Sequence, residues 1–296
     1  MKWEGNRESD NVEDRRDDGG GGGGGFGFGG RSVGIGTIAV ALIGAYFLGV
    51  SPMTIIHALS DGGGATAPVQ QQQQQRAPAP PASDRQAKFV STVLADTEDT
   101  WTELFRAQNA RYQKPKLVLF TGATRTACGT GDTASGPFYC PGDQKVYIDL
   151  AFYRLMQQRF HVTSEFAQAY VIAHEVGHHV QHLLGIDEKV AAARQGGSAR
   201  QANAMSVKLE LQADCFAGVW AFHANRSRNI LEQGDIEGAL AAATAIGDDA
   251  LQQQSQGRVV PDSFTHGTSA QRVRWFTKGI ETGEFTGCDT FGARAL

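Results

Sequence analysis

Apolar positions recur at regular intervals from about Asp84 onward, and their spacing predicts the elements of a folded domain. Phe89, Val93, Leu94, Trp101, Leu104 and Phe105 follow helical spacing and predict a first helix. Pro115 introduces the short strand-like run Leu117 to Phe120. In Lys145 to Leu150 the residues alternate, with Val146, Ile148 and Leu150 on one side and Lys145, Tyr147 and Asp149 on the other, which predicts a half-buried strand. Between the two runs, Gly129, Gly131, Gly136 and Pro137 mark a loop or hairpin tip. Helical spacing then takes over. One helix is expected from a Thr163 or Ser164 cap through His182 to a stop near Gly185, a second from Ala199 to about Asn225, and a third from Asp235 to Gln254. A last one opens at Thr268 or Ser269 and carries Val273, Trp275 and Phe276. Few strands followed by many helices is an α+β pattern, mostly helical with a small sheet.

The preceding residues read differently. Residues 1–31 are charged and then glycine-rich, with an unbroken block at Gly19 to Gly25. So little apolar surface is expected to leave them a disordered tail. Ser32 to Val50 carries no charge and is long enough for one transmembrane helix. Asp61 to Ser83 are Gly/Ala/Pro-rich with six glutamines at Gln70 to Gln75, and residues 51–83 read as a flexible linker to a domain at 84–296. Arg15, Arg16 and Arg31 precede the apolar stretch, whereas no Lys or Arg occurs from Ser51 to Gln75. The positive-inside bias therefore predicts a cytoplasmic N-terminus and an extracytoplasmic domain, periplasmic in a Gram-negative cell.

The net charge is −4 and no Lys/Arg-rich patch is present, so nothing points to a nucleic-acid partner. None of the four cysteines forms a CxxC pair, which argues against a cysteine-rich structural metal site. Outside the cytoplasm an even, widely spaced set predicts disulfides. The loop between Cys128 and Cys140 makes that pair easy to close, leaving Cys215 with Cys288.

The strongest chemical signal is His174-Glu175-Val176-Gly177-His178. Histidines at i and i+4 project from one helical face, where both reach a single zinc ion, and the glutamate between them leans aside toward a zinc-bound water. Catalytic zinc takes three protein ligands and keeps one position open. Glu210, on the next long helix, is the candidate third ligand, and Asp214 one turn on is placed to accept the Nδ1–H of a ligand histidine. His266, just before a helix start, is a candidate for stabilising an oxyanion, with Tyr147 a weaker one. His179, His182, His161 and His223 read as surface or supporting groups rather than ligands.

HEVGHHVQ followed by ELQADCFAGVW resembles the neutral zinc metallopeptidases of bacterial membrane-anchored proteins, within the gluzincin group. GPFYCPGDQKVYID and HGTSAQRVRWF extend the resemblance over the whole domain. It implies a zincin-like fold, zinc held by His174, His178 and Glu210, Glu175 as general base, and a peptide or protein substrate. The extended substrate is expected to pair with an exposed strand edge, Lys145 to Leu150 being the candidate. The competing reading is a membrane-tethered zinc-binding module that cuts nothing, and Glu175 separates the two: a purely structural site needs no carboxylate beside an open position.

Overall fold

A computed structural model describes residues 1–18, 81, 83–133, 136–160 and 162–296. The described residues form a mostly helical α+β fold with a small sheet. In chain order the elements are β1 (Val12–Asp14), α1 (Arg85–Ala107), β2 (Lys116–Phe120), β3 (Ala123–Thr126), β4 (Gly129–Asp132), β5 (Phe138–Cys140) and β6 (Lys145–Asp149). The helices α2 (Ala151–Phe160), α3 (Glu165–Leu183), α4 (Ile186–Gly196), α5 (Ala199–Arg228), α6 (Asp235–Ala245), α7 (Asp248–Gln256) and α8 (Ser269–Thr282) follow. The stretch Ser32 to Val50 lies outside the described residues, and among those described no helix is long and apolar enough to cross a membrane.

The main sheet runs β1-β2-β6-β5, parallel from β1 through β6, with β5 antiparallel at one edge. On one face Leu117, Leu119, Val146 and Ile148 merge with the core built by α1, α3, α5 and α8. On the other, Val118, Phe120, Tyr147 and Cys140 form a smaller cluster with Phe138. β6 is therefore interior and buried on both faces, neither the half-buried strand its alternation predicts nor the exposed edge expected to take a substrate. Among the described residues the edge strands are β1 and β5, because Lys145 to Asp149 have β2 on one side and β5 on the other.

The expected disorder of residues 1–31 does not hold for Met1–Asp18, which folds onto the domain. Trp3 is buried edge-on against Phe89 and donates its indole N–H to Glu165 at 3.0 Å. The carboxylate of Glu98, buried on α1, receives Ser9 Oγ at 2.6 Å, Asn11 Nδ2 at 2.7 Å and the Arg7 guanidinium at 3.1 Å. β1 then adds to the sheet, with Val12 opposite Leu117, and Glu13 takes ion pairs from Lys116 at 3.0 Å and Lys145 at 2.9 Å. This segment is held by a few large side chains and many polar pairings, which average hydrophobicity does not register.

Helix ends follow the chemistry of their caps. Ser198 with Gln201 and Thr268 with Gln271 form reciprocal capping boxes at α5 and α8. α3 stops where Gly185 takes φ 67°, a left-handed conformation suited to glycine. The single helix expected over Asp235 to Gln254 is two, divided at Ile246-Gly247. A Cβ on Gly247 would lie 2.5 Å from the Ser269 backbone nitrogen, so α8 closes in at the break. Both expected disulfides are present, Cys128–Cys140 and Cys215–Cys288.

Candidate metal centre

α3 is buried around most of its circumference, which turns His174 and His178 into the interior instead of solvent. It meets α5 at Gly177, where a Cβ would sit 3.0 Å from the Ala213 carbonyl oxygen. That close approach brings Glu210 and Asp214 up to the two histidines. Glu210 lies between the imidazoles, with Oε2 3.1 Å from His174 Nε2 and Oε1 3.4 Å from His178 Nε2. One ligand atom from each residue falls within 4.8 Å of the other two, so the three could hold a metal ion. Two imidazole nitrogens and one carboxylate oxygen make a donor set that suits zinc.

The far nitrogens explain why both rings present Nε2. His174 Nδ1 lies 2.8 Å from Asp214 Oδ1, an acceptor only, so Nδ1 carries the proton. His178 Nδ1 lies 2.8 Å from Gln181 Oε1, and the Gln181 amide donates to the Leu209 carbonyl at 2.7 Å and to Gln212 at 3.1 Å. Gln212 in turn donates to the carbonyl of Cys288 at 2.9 Å, whose sulfur is bonded to Cys215 on the same helix as Glu210. Each of the two histidines thus has its own orienting partner, and the second partner is braced by the C-terminal disulfide.

Asp214 is fully buried and saturated. Besides His174, it accepts the Tyr170 hydroxyl at 2.6 Å and two guanidinium N–H groups of Arg272 at 2.9 Å. Burial works to raise its pKa, but Arg272 and His174 hold it down at about 2. For His174, burial works to lower the pKa, yet Asp214 and Glu210 raise it to about 10. Glu210 is likewise disfavoured as an ion by burial but held well below the usual carboxylate range by His178 and His174. A metal ion and a proton compete for the same nitrogen lone pairs.

Glu175 is 7% exposed and lines the same cleft, and burial pushes its pKa up despite the neighbouring histidines. His266 also lines the cleft. Its Nδ1 is 3.1 Å from Asp248 Oδ1, which leaves Nε2 for a cleft occupant. Asp248 further accepts the backbone N–H groups of Thr265, His266 and Gly267, which fixes the loop carrying the ring.

Other expectations change. Tyr147 is in the small cluster on the opposite face of the sheet, stacked on Phe138, with its hydroxyl donating to Asp143 at 2.7 Å. It does not line the cleft. His179 is fully buried rather than at the surface, and its hydrogen bonds run away from the His174, His178 and Glu210 cluster. It bonds the Gln113 carbonyl at 2.6 Å through Nε2 and the Tyr139 hydroxyl at 3.0 Å through Nδ1, and burial pushes its pKa down to about 4. His223 binds the Gly283 carbonyl at 2.8 Å, and His182 pairs with Asp187 at 2.7 Å. His161 lies outside the described residues. Arg272 and Gln181 were not anticipated. A glutamine one turn after the second histidine and an arginine six residues after His266 are the only traces they leave in the sequence.

No solved structure matches the chain. It is 52% identical to "Uncharacterized protein YpfJ" of Escherichia coli K12 over 296 residues, 99% of each chain. It is 42% identical to "Uncharacterized protein Rv2575" of Mycobacterium tuberculosis over 219 residues, 71% of this chain and 73% of the relative. The profile of the family described as "Putative neutral zinc metallopeptidase" matches residues 1–291. With a match over nearly its whole length and a paired-histidine and glutamate cluster at its centre, the chain belongs to that zinc metallopeptidase family.

Proposed function

We propose that this protein is a zinc-dependent peptidase, with His174, His178 and Glu210 as the metal ligands and Glu175 as the general base. The observation that carries the reading is the placement of Glu210 between the two Nε2 atoms, while the adjacent Glu175 carboxylate lies in the cleft outside that trio. Zinc bound there would supply Lewis acidity, activating water and polarising the scissile carbonyl. Glu175 takes a proton from the attacking water and passes it to the leaving amine, and its burial suits a carboxylate that must be protonated part of the time. His266, oriented by Asp248, donates from Nε2 to the developing oxyanion. Asp214, under Arg272, holds His174 in register. The extended substrate pairs with the edge strand β5, where Phe138 and Tyr139 also line the cleft.

The two disulfides support a domain outside the cytoplasm. The lack of charge in Ser32 to Val50 suits an association with a bilayer that leaves β1 and the domain it pairs with on one side. The discriminating experiment is peptide-library cleavage by the zinc-loaded full chain and by Glu175→Gln. The variant keeps the size of the side chain but cannot accept the proton, so zinc content should be unchanged while cleavage falls about 10²–10⁴-fold. Equal cleavage by both proteins would remove Glu175 from the mechanism. Zinc binding with no cleavage of any peptide would favour a tethered binding module.

A further inference from the structure

The cleft beside the metal centre encloses about 540 Å³. That volume is in the range of sites that engulf small ligands or a short peptide stretch, so a polypeptide has to enter it extended. The charged groups in its wall decide which part of a polypeptide can enter. Arg272 is the one permanent cation among the described lining residues, and its guanidinium is consumed: Nε and Nη2 on Asp214, Nη1 on the Ile246 carbonyl. Asp187 is taken by His182 and by the Glu188 backbone N–H. Glu210 is taken up by the two histidines, and His266 is tied to Asp248. Glu175 remains, reserved for the water.

An exopeptidase must hold a chain terminus, an α-carboxylate against a cation or an α-ammonium against an acid. Leaving such a charge unpaired against a largely apolar wall is unfavourable. No described lining residue has a free charge for either task. Much of the rest of the wall is apolar, including Phe138, Phe152, Leu155, Val171 and Leu251, with Tyr139, Tyr170 and Gln181 among them. We infer that the cleft takes internal segments of extended polypeptide bearing bulky apolar side chains, so that cleavage is endoproteolytic. The inference rests on the peptidase reading, but the selectivity of the cleft is measurable without hydrolysis.

The test uses the zinc-loaded full chain and three versions of one fluorescent peptide. The first has a central Phe-Leu pair with acetyl and amide blocked ends, the second has the same residues with free ends, and the third is blocked with the pair replaced by Asp-Lys. Blocked and free apolar peptides should be cut with kcat/KM within about threefold of each other, and the charged one at least tenfold more slowly. Leu251→Asp, in the cleft wall, should raise KM for the apolar peptide. Fluorescence anisotropy with Glu175→Gln reads binding alone and should show the same ranking. A strict need for a free terminus, release of single terminal residues, or equal binding of the charged peptide would overturn the inference with the peptidase reading intact. Selective binding of the blocked apolar peptide with no cleavage by the parent would leave the cleft's preference standing and refute the peptidase.

Discussion

Arg272 grips Asp214 at two points, Nε on Oδ2 and Nη2 on Oδ1, each at 2.9 Å, with both side chains almost entirely out of solvent. The arginine therefore acts on the metal centre through the carboxylate that holds His174. Breaking a buried pair from one side strands the other charge, at a typical cost of about 3–5 kcal/mol. Arg272→Leu should lower the apo protein's stability to urea by about that much. Arg272→Lys keeps the charge but loses the fork, so it should recover part of the stability while zinc affinity stays reduced by about 10–100-fold.

Glu210 and Asp214 are one turn apart and should fail differently. Glu210→Ala removes a donor atom and should weaken zinc binding well beyond the about 10–100-fold expected for an orienting partner such as Asp214 in Asp214→Asn. Competition with a chromophoric chelator at fixed pH separates the two. Equal, small losses would mean that Glu210 is not the third ligand.

α5 and α8 touch backbone to backbone. A Cβ on Gly279 would lie 2.0 Å from the Cys215 carbonyl oxygen, and one on Gly218 would lie 2.2 Å from that of Phe276. Neither neighbour is a flexible side chain that can swing aside. Gly279→Ala should force the helices apart, cost about 3 kcal/mol or more, and shift Arg272 relative to Asp214. Thermal melting reports the first effect and zinc affinity the second.

Glu13 on β1 gives the fold a pH dependence. Burial works to raise its pKa, but Lys145, Lys116 and Arg15 hold it at about 2, below an unfolded value of about 4.3. A depressed carboxylate stabilises fully above the unfolded value and loses that contribution as pH falls toward the folded one. The effect, on the order of 1–3 kcal/mol, should thus be present above about pH 5 and fade between pH 5 and 2. Glu13→Gln should lower stability at pH 7 and flatten that part of the curve in urea titrations.

Much of the metal centre was legible because its signals are local. The two histidines one helical turn apart, the Glu210–Asp214 spacing and the caps at Thr268 and Gly185 each depend on neighbours within a few residues. Arg272 was not legible, since its role depends on α8 folding back across α5 to a carboxylate 58 residues away. The place of β6 inside the sheet was hidden for a related reason. Lys145 and Tyr147 look solvent-facing, yet one pairs with Glu13 from β1 and the other stacks on Phe138 from β5. The folding of the first residues was hidden most completely, because Glu98, which receives Ser9 and Asn11, sits more than eighty residues further on.

Val12 to Asp14 lie in parallel register beside Leu117 to Leu119. Two strands in one ladder occupy one compartment, whatever route the intervening thread of residues takes. If that thread passes through a bilayer, it has to pass back again before α1 begins, so any crossings come in even number. A lone crossing and the β1–β2 ladder exclude one another. A thiol reagent that cannot penetrate membranes should then reach cysteines placed at the exposed Glu4 and at the exposed Arg200 in intact cells alike, or at neither.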